Sequence, residues 1–219
     1  MTAFRTPGTG LTPGRRHADG AVVTSEIVDE LTLRDGERIV VRPIRPADSD
    51  QLAALHARLS PDSIYRRYFG LKPSLSVAEI GRFTGIAEGW RFALVGVRGT
   101  GQLAGVTRYE GQPGQPDAEI ALIVDDALQH LGLGSRLLQR LIDVARTSGM
   151  SSLTAVVLSS NLPMLHLLRA LPVPSSFARD AGDVVVTLDL AGLELPAGRS
   201  RIAAVHVAEA AAVRAALGS

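Results

Sequence analysis

The chain has 219 residues, 46% hydrophobic and 21% charged, with a formal net charge of +1. That length and balance suit one well-buried globular domain with extensions, and the near-zero charge removes the electrostatic case for nucleic acid or an anionic membrane as a partner. There is no cysteine, which excludes a thiol nucleophile, a redox pair and any thiolate zinc site.

No N-terminal run has the layout of a signal peptide, and no apolar stretch reaches the ~18 residues of a membrane span, so a cytoplasmic protein is expected. The histidines show no ligand spacing, and no metal site is expected.

In chain order, residues 1–28 are rich in Gly, Pro, Thr and Arg and read as a mobile leader. Leu31-Thr32-Leu33 and Ile39-Val40-Val41 flank Arg34-Asp35-Gly36-Glu37, a hairpin with a glycine-containing turn. Pro43 and Pro46 stop the second strand. Asp48 is then expected to cap a helix whose apolar face is Leu52, Leu55, His56 and Leu59.

Ser60-Pro61-Asp62-Ser63 opens a short helix carrying Ile64, Tyr65, Tyr68 and Phe69, with Tyr65, Arg66, Arg67 and Tyr68 read as packing residues. Ser76-Val77-Ala78-Glu79 has the form of a capping box for a third helix ending near Gly85. Three strands follow, at 91–97, 103–109 and 118–124, joined by glycine- and proline-containing turns as an antiparallel meander. Trp90 is expected to pack at the start of the first.

Leu137, Leu138, Leu141, Ile142 and Ala145 then mark the buried stripe of a long helix closed by Gly149. A buried strand at 153–158, a helix at 161–171 opened by Asn161, and a strand at 184–190 complete the pattern. From Ala191 the chain is proline- and glycine-broken and then alanine-rich. The division read from this is a leader (1–28), one domain (29–190) and a C-terminal extension (191–219) with helical composition.

The most informative stretch is the glycine loop between strand and long helix. Gln129, Gly132 and Gly134 form Q-x-x-G-x-G after the apolar run Glu119–Val124 and before the helical segment Ser135–Arg146. A glycine-rich turn entering a helix exposes amide N–H groups that no helical carbonyl satisfies, backed by the positive end of the helix dipole. That makes a site for a phosphate or diphosphate. A dinucleotide fingerprint fits poorly, because it needs G-x-G-x-x-G in a parallel sheet; a P-loop fits poorly too, because Ser135-Arg136 stands where G-K-[ST] is required.

This element order and these residues resemble the GCN5-related N-acetyltransferase (GNAT) family, whose acetyl-CoA loop reads [Q/R]-x-x-G-x-[G/A]. An apolar strand ends just before the loop, as Ile120–Val124 does, and an asparagine opens the next helix, as Asn161 does. The likeness runs from about Leu31 to Leu190. Leu59–Phe69 and Leu75–Thr84 further resemble the bacterial branch that acetylates protein lysines. A departure is the Pro172-Val173-Pro174 segment, where the family usually has a Leu-Gly-Phe turn.

The resemblance implies an α+β, three-layer fold with a mixed, mostly antiparallel central sheet flanked by helices. It implies acetyl-CoA as co-substrate, with its diphosphate on the loop from Gln129 through His130, Leu131, Gly132, Leu133 and Gly134 to Ser135. The pantetheine arm would pair with main-chain groups of Leu122, Ile123 and Val124 and meet Asn161. Acetyl would pass directly to a primary amine, a protein lysine ahead of a small molecule, with Glu119 as the base.

The tyrosine that many members offer to the leaving thiol is replaced by Leu168, and His166 nearby is expected to pack. Asp125 and Asp126 are expected in solvent at the mouth of the loop. A homodimer is left open. The alternative is a catalytically silent domain that binds acyl-CoA and regulates a partner.

Overall fold

A computed structural model describes residues 29–86 and 89–192. The leader expected at 1–28, and all but the first two residues of the extension expected at 191–219, lie outside the described residues. Thirteen main elements are arranged as β1 (Asp29–Thr32), β2 (Arg38–Pro43), α1 (Ser49–Arg58), α2 (Pro61–Tyr68), α3 (Val77–Thr84), β3 (Arg91–Arg98), β4 (Leu103–Gly111), β5 (Asp117–Val124), α4 (Leu133–Thr147), β6 (Ser152–Leu158), α5 (Leu162–Arg169), β7 (Ser175–Asp180) and β8 (Asp183–Asp189).

The strands form one sheet in the order β1-β2-β3-β4-β5-β6-β8-β7. Every pairing is antiparallel except β5 with β6. Helices cover both faces, so the α+β three-layer expectation holds. On one face Leu133, Leu137, Leu138 and Leu141 of α4 and Leu165 and Leu168 of α5 pack with Leu94, Ile120, Leu153 and Val186. On the other, Leu52 and Leu55 of α1 pack with Val95, Leu103 and Val106.

β5 shows the alternation expected of a strand with two covered faces. Ile120, Leu122 and Val124 turn toward the α4 core, whereas Ile123 packs with the α1 cluster. No helix of the described residues is long and apolar enough to cross a membrane.

Local chemistry explains the boundaries. Ser76 Oγ accepts from the Glu79 amide at 3.2 Å while Glu79 Oε2 accepts from the Ser76 amide at 2.8 Å, the reciprocal box expected at the start of α3. α2 opens on Ser60, whose hydroxyl accepts from the Ser63 amide.

Asp48 departs from expectation. It occupies the N-cap of α1 but makes no side-chain bond to that helix. Its carboxylate instead accepts from the Arg45 amide at 2.8 Å and from both terminal nitrogens of Arg42 at 2.7 Å. Burial alone would raise this carboxyl, but the Arg42 and Arg45 contacts outweigh it and hold the pKa below the usual range.

β7 was not expected from the sequence. Its residues are polar and largely exposed, because it is the outer strand beyond β8. The β7–β8 hairpin closes through Ala181 and Gly182, both at positive φ (46° and 102°), the geometry that suits a two-residue turn between twisted strands. The Pro172-Val173-Pro174 segment delivers the chain to this edge, with Val173 packed against the main core.

Candidate active site

β5 and β6 pair at only three positions, Asp117 with Ser152, Ala118 with Leu153 and Glu119 with Thr154. Beyond Glu119 they part. β6 continues alongside β8 to Leu158 and β5 alongside β4 to Val124, so the facing edge of β5 from Ile120 onward has no strand partner among the described residues. The gap is a cleft of about 620 Å³, walled by Ile120–Val124 on one side and Ala155, Val156, Val157 and the α5 face on the other. An unpaired strand edge of this kind offers N–H and C=O groups to an extended, amide-bearing ligand.

At the open end stands the glycine loop. Gly132, at φ 97°, is the N-cap of α4, which begins two residues earlier than expected. A β-carbon at that φ would be strained. The amides of Leu133, Gly134 and Ser135 form the first helical turn and have no helical carbonyl to meet. Gly134 is needed for a second reason: a β-carbon there would lie 3.1 Å from a Leu122 methyl and 3.2 Å from a Leu167 methyl, so glycine lets the helix end settle between β5 and α5. His130 also has positive φ, 62°, a conformation uncommon outside glycine.

Gln129, His130, Gly132, Gly134 and Ser135 line the cleft. Leu133 is buried in the core and Leu131 packs against it, so any part these two play is through the main chain.

Asp125 and Asp126 are not the solvent-facing pair expected. Asp125 is buried and ion-paired with Arg58 at 3.0 Å, while its other oxygen accepts from the Ala127 amide. The Asp126 carboxylate accepts from the Ser60 amide at 2.5 Å, from the Gln129 side-chain amide at 2.7 Å and from the Ser63 hydroxyl. Both carboxylates are therefore spent on protein donors and tie α1 and α2 to the loop. Gln129, expected to face a ligand, also turns its amide nitrogen to Asp126 and Ser63, so its side chain braces the loop.

Glu119 stands at the vertex where the β5–β6 ladder ends and lines the cleft. Directly across the β4–β5 ladder is Glu110. Two carboxylates in register would repel, and the two have different surroundings. Glu110 is held by Arg82 at 2.8 Å, Arg108 at 2.9 Å and Arg91 at 3.8 Å. Glu119 makes no hydrogen bond or ion pair through its side chain with any described residue.

Arg108 lies over the Phe83 ring at 4.3 Å. Burial lowers its pKa to about 10, with Glu110 opposing the shift, so it remains charged at neutral pH. Of the two acids, Glu119 is the one with no arginine partner among the described residues.

A smaller chamber of about 20 Å³ abuts the cleft through Arg67, Ala121, Leu122 and Ile123. Leu52, Leu55, Phe83 and Val106 form its apolar wall, with His56, Tyr68 and Arg108 as its polar members. His56 Nε2 is buried with no hydrogen-bond partner among the described residues, and burial lowers the imidazole pKa, which favours the neutral form. This space was not foreseen; His56 reads in the sequence simply as part of an apolar helix face.

Across the cleft, Asn161 caps α5, its Oδ1 accepting from the Met164 amide at 3.3 Å. Leu168 is fully buried. His166, expected to pack, is exposed and lines the cleft, because α5 presents positions 163, 166, 167 and 170 to it. Arg66 and Arg67 also line it, beyond the packing role expected of them. Arg34 joins from the β1–β2 turn, a contribution that nothing local in the sequence signals. Trp90 precedes β3 half-buried, with the Arg91 guanidinium 5.0 Å from its ring centroid. The described residues contain no cluster of three or more metal-ligating side chains.

Comparison with known proteins gives a consistent assignment. The profile of the acetyltransferase (GNAT) family matches residues 62–171. The acetyltransferase PA5475 of Pseudomonas aeruginosa is 32% identical over 143 residues, covering 64% of this chain and 77% of that protein. The GNAT domain of S. lividans PAT superimposes with a TM-score of 0.68 at 30% identity, covering 74% of this chain and 96% of that one. The yncA protein of Salmonella typhimurium, solved with its cofactor acetyl-CoA, has the same fold, with a TM-score of 0.58 at 20% identity over 73% of this chain and 98% of that one.

Proposed function

The chain belongs to the GNAT acetyltransferase family, and from that premise we propose that it passes acetyl from acetyl-CoA directly to a primary amine, with Glu119 as the base. The observation that carries this reading is the position of Glu119: an unpartnered carboxylate at the vertex of the β5–β6 split, on the cleft whose other end is the amide turn of α4.

The diphosphate would rest on the amides of Leu133, Gly134 and Ser135, where the helix dipole favours an anion. The two amides of the pantetheine arm would pair with the free edge of Leu122, Ile123 and Val124 as an added strand does. This brings the thioester beside Glu119. Asn161 would meet the arm from the α5 side.

Direct transfer needs the amine nitrogen and the thioester carbon in contact, and holding them so supplies much of the acceleration. An alkylamine with a pKa near 10.4 is free in only roughly one molecule in 2,500 at pH 7. A base must take its proton as the N–C bond forms and the C–S bond breaks. Glu119 is free to do so, directly or through water, whereas Glu110 is occupied by arginines. The departing thiolate takes a proton from solvent or from His166, which faces the same cleft.

The acceptor is read as a protein lysine ahead of a small molecule, on the sequence resemblance of α2 and α3. Leu168, buried where many members carry a tyrosine, favours a second reading: a silent domain that binds acyl-CoA. Thermal shift and calorimetry with CoA and acetyl-CoA test binding, and release of free thiol in the presence of lysine peptides and small amines tests transfer. Binding with acceptor-dependent thiol release is expected. Binding with no release on any acceptor would support the silent domain, and no binding would overturn both readings.

A further inference from the structure

Coenzyme A carries two anionic groups, a diphosphate and a 3′-phosphate on the ribose, and the amide turn of α4 accounts for one of them. Resting on the acetyl-CoA reading above, we propose that Arg34 forms the subsite for the 3′-phosphate and makes the protein select CoA over 3′-dephospho-CoA.

Position carries the first part of the argument. The arm of the ligand runs from the amide turn along β5 toward Glu119, so the nucleoside lies on the opposite side of the turn, outward past His130. The β1–β2 turn stands there. The Arg34 amide donates to the Leu131 carbonyl at 3.3 Å and its Nη1 to the His130 carbonyl at 3.3 Å. Both acceptors belong to the loop itself, so Arg34 is tied to the rim of the diphosphate site.

Charge carries the second part. Among the described residues three arginines line the cleft, Arg34, Arg66 and Arg67, against a single carboxylate, Glu119. Arg66 is ion-paired with Asp62 at 2.7 Å. Arg67 lies 5.1 Å from the Tyr68 ring centroid and also borders the inner chamber, toward the reacting end. Arg34 is exposed and forms no ion pair with a described residue. Its one side-chain bond is to a neutral carbonyl, which leaves most of its five N–H donors free. A planar fork of that kind matches two oxygens of a phosphate at once. His130, at φ 62°, is the residue whose carbonyl accepts from Arg34, so the two form one unit at this rim.

The test is calorimetry of CoA and 3′-dephospho-CoA on the wild-type protein, Arg34→Gln and Arg34→Lys, at one fixed ionic strength. An exposed but bidentate contact to a dianion should be worth about tenfold in affinity. The wild-type protein should therefore bind CoA about tenfold tighter than dephospho-CoA. In Arg34→Gln that preference should vanish, because CoA binding falls to the level of dephospho-CoA, and Arg34→Lys should recover part of it.

If the wild-type protein has no preference, or Arg34→Gln keeps it, the subsite is elsewhere and the proposal fails. An equal loss on both ligands also overturns it, showing that Arg34 only braces the His130 carbonyl. Binding of neither ligand to the wild-type protein would sink the acetyl-CoA reading itself, a result distinct from the other three.

Discussion

Replacing Glu119 with glutamine removes a proton acceptor and little else. The side chain is exposed and makes no bond with another described side chain, so the change in stability should stay within about 0.5 kcal/mol, as for other surface positions without partners. Loss of a positioned base costs typically 10²–10⁴ in rate, equivalent to about 2.7–5.4 kcal/mol at 1.36 kcal/mol per decade. The residual reaction must use amine that is already free in solution. Its rate should therefore climb close to tenfold per pH unit from pH 7 to 9, while the wild-type profile is flatter.

The assay is thiol release with saturating acetyl-CoA and a lysine peptide, alongside calorimetry for acetyl-CoA. Affinity for acetyl-CoA should be unchanged. Near-normal turnover with acetyl-CoA still bound would refute the assignment, because no other carboxylate among the described residues lines the cleft, and Glu110 across the ladder is engaged by three arginines.

Three further outcomes follow from the same geometry. Gly132→Ala places a β-carbon at φ 97° where no neighbour lies within 4 Å, so the cost is backbone strain of about 1–3 kcal/mol; denaturant unfolding should show it, with weaker CoA binding, and an unchanged midpoint would contradict it. Asp126→Ala leaves the Ser60 amide, the Ser63 hydroxyl and the Gln129 amide without their acceptor, a loss of about 1–3 kcal/mol that should raise KM for acetyl-CoA more than it lowers kcat; a fall in kcat alone would argue against the bracing role.

The third concerns His56, whose folded pKa is held below its ordinary 6.5 by burial, with Lys72 reinforcing and Glu79 opposing. The unfolded chain then binds the proton more readily, so this contribution is present above pH 6.5 and is lost as pH falls from there toward the folded pKa. Thermal midpoints from pH 7.5 to 5 should fall less steeply for His56→Gln than for the wild-type protein, and identical slopes would refute the coupling.

Features set by neighbours in the chain were legible in the sequence. The Ser76–Glu79 box, the α4 stripe and the alternation of β5 each follow from periodicity or capping chemistry within one element. The glycine loop could be placed because strand, turn and helix signals meet there. Contacts across long stretches of sequence were not legible.

Asp126 bonds to Ser60 and Ser63, more than sixty positions away, and Arg34 meets a carbonyl 96 positions along the chain. No local pattern marks either pairing, so sequence alone leaves the acids in solvent and the arginine without a role. The exposure of His166 is not legible either, because the face an apolar helix shows to its core depends on what it packs against. β7 carries no strand signal because an outer strand need not alternate: of its six residues only Phe177 is even partly covered.

The three-rung junction between β5 and β6 has a mechanical consequence. It is the narrowest seam in the eight-stranded sheet, with five strands on one side of it and three on the other. A cosubstrate lodged there would act as a missing rung section, stitching the two blocks by main-chain bonds that hardly depend on side-chain identity. Loading would then stiffen the sheet across this seam before any acceptor arrives, and departure of the spent carrier would release it.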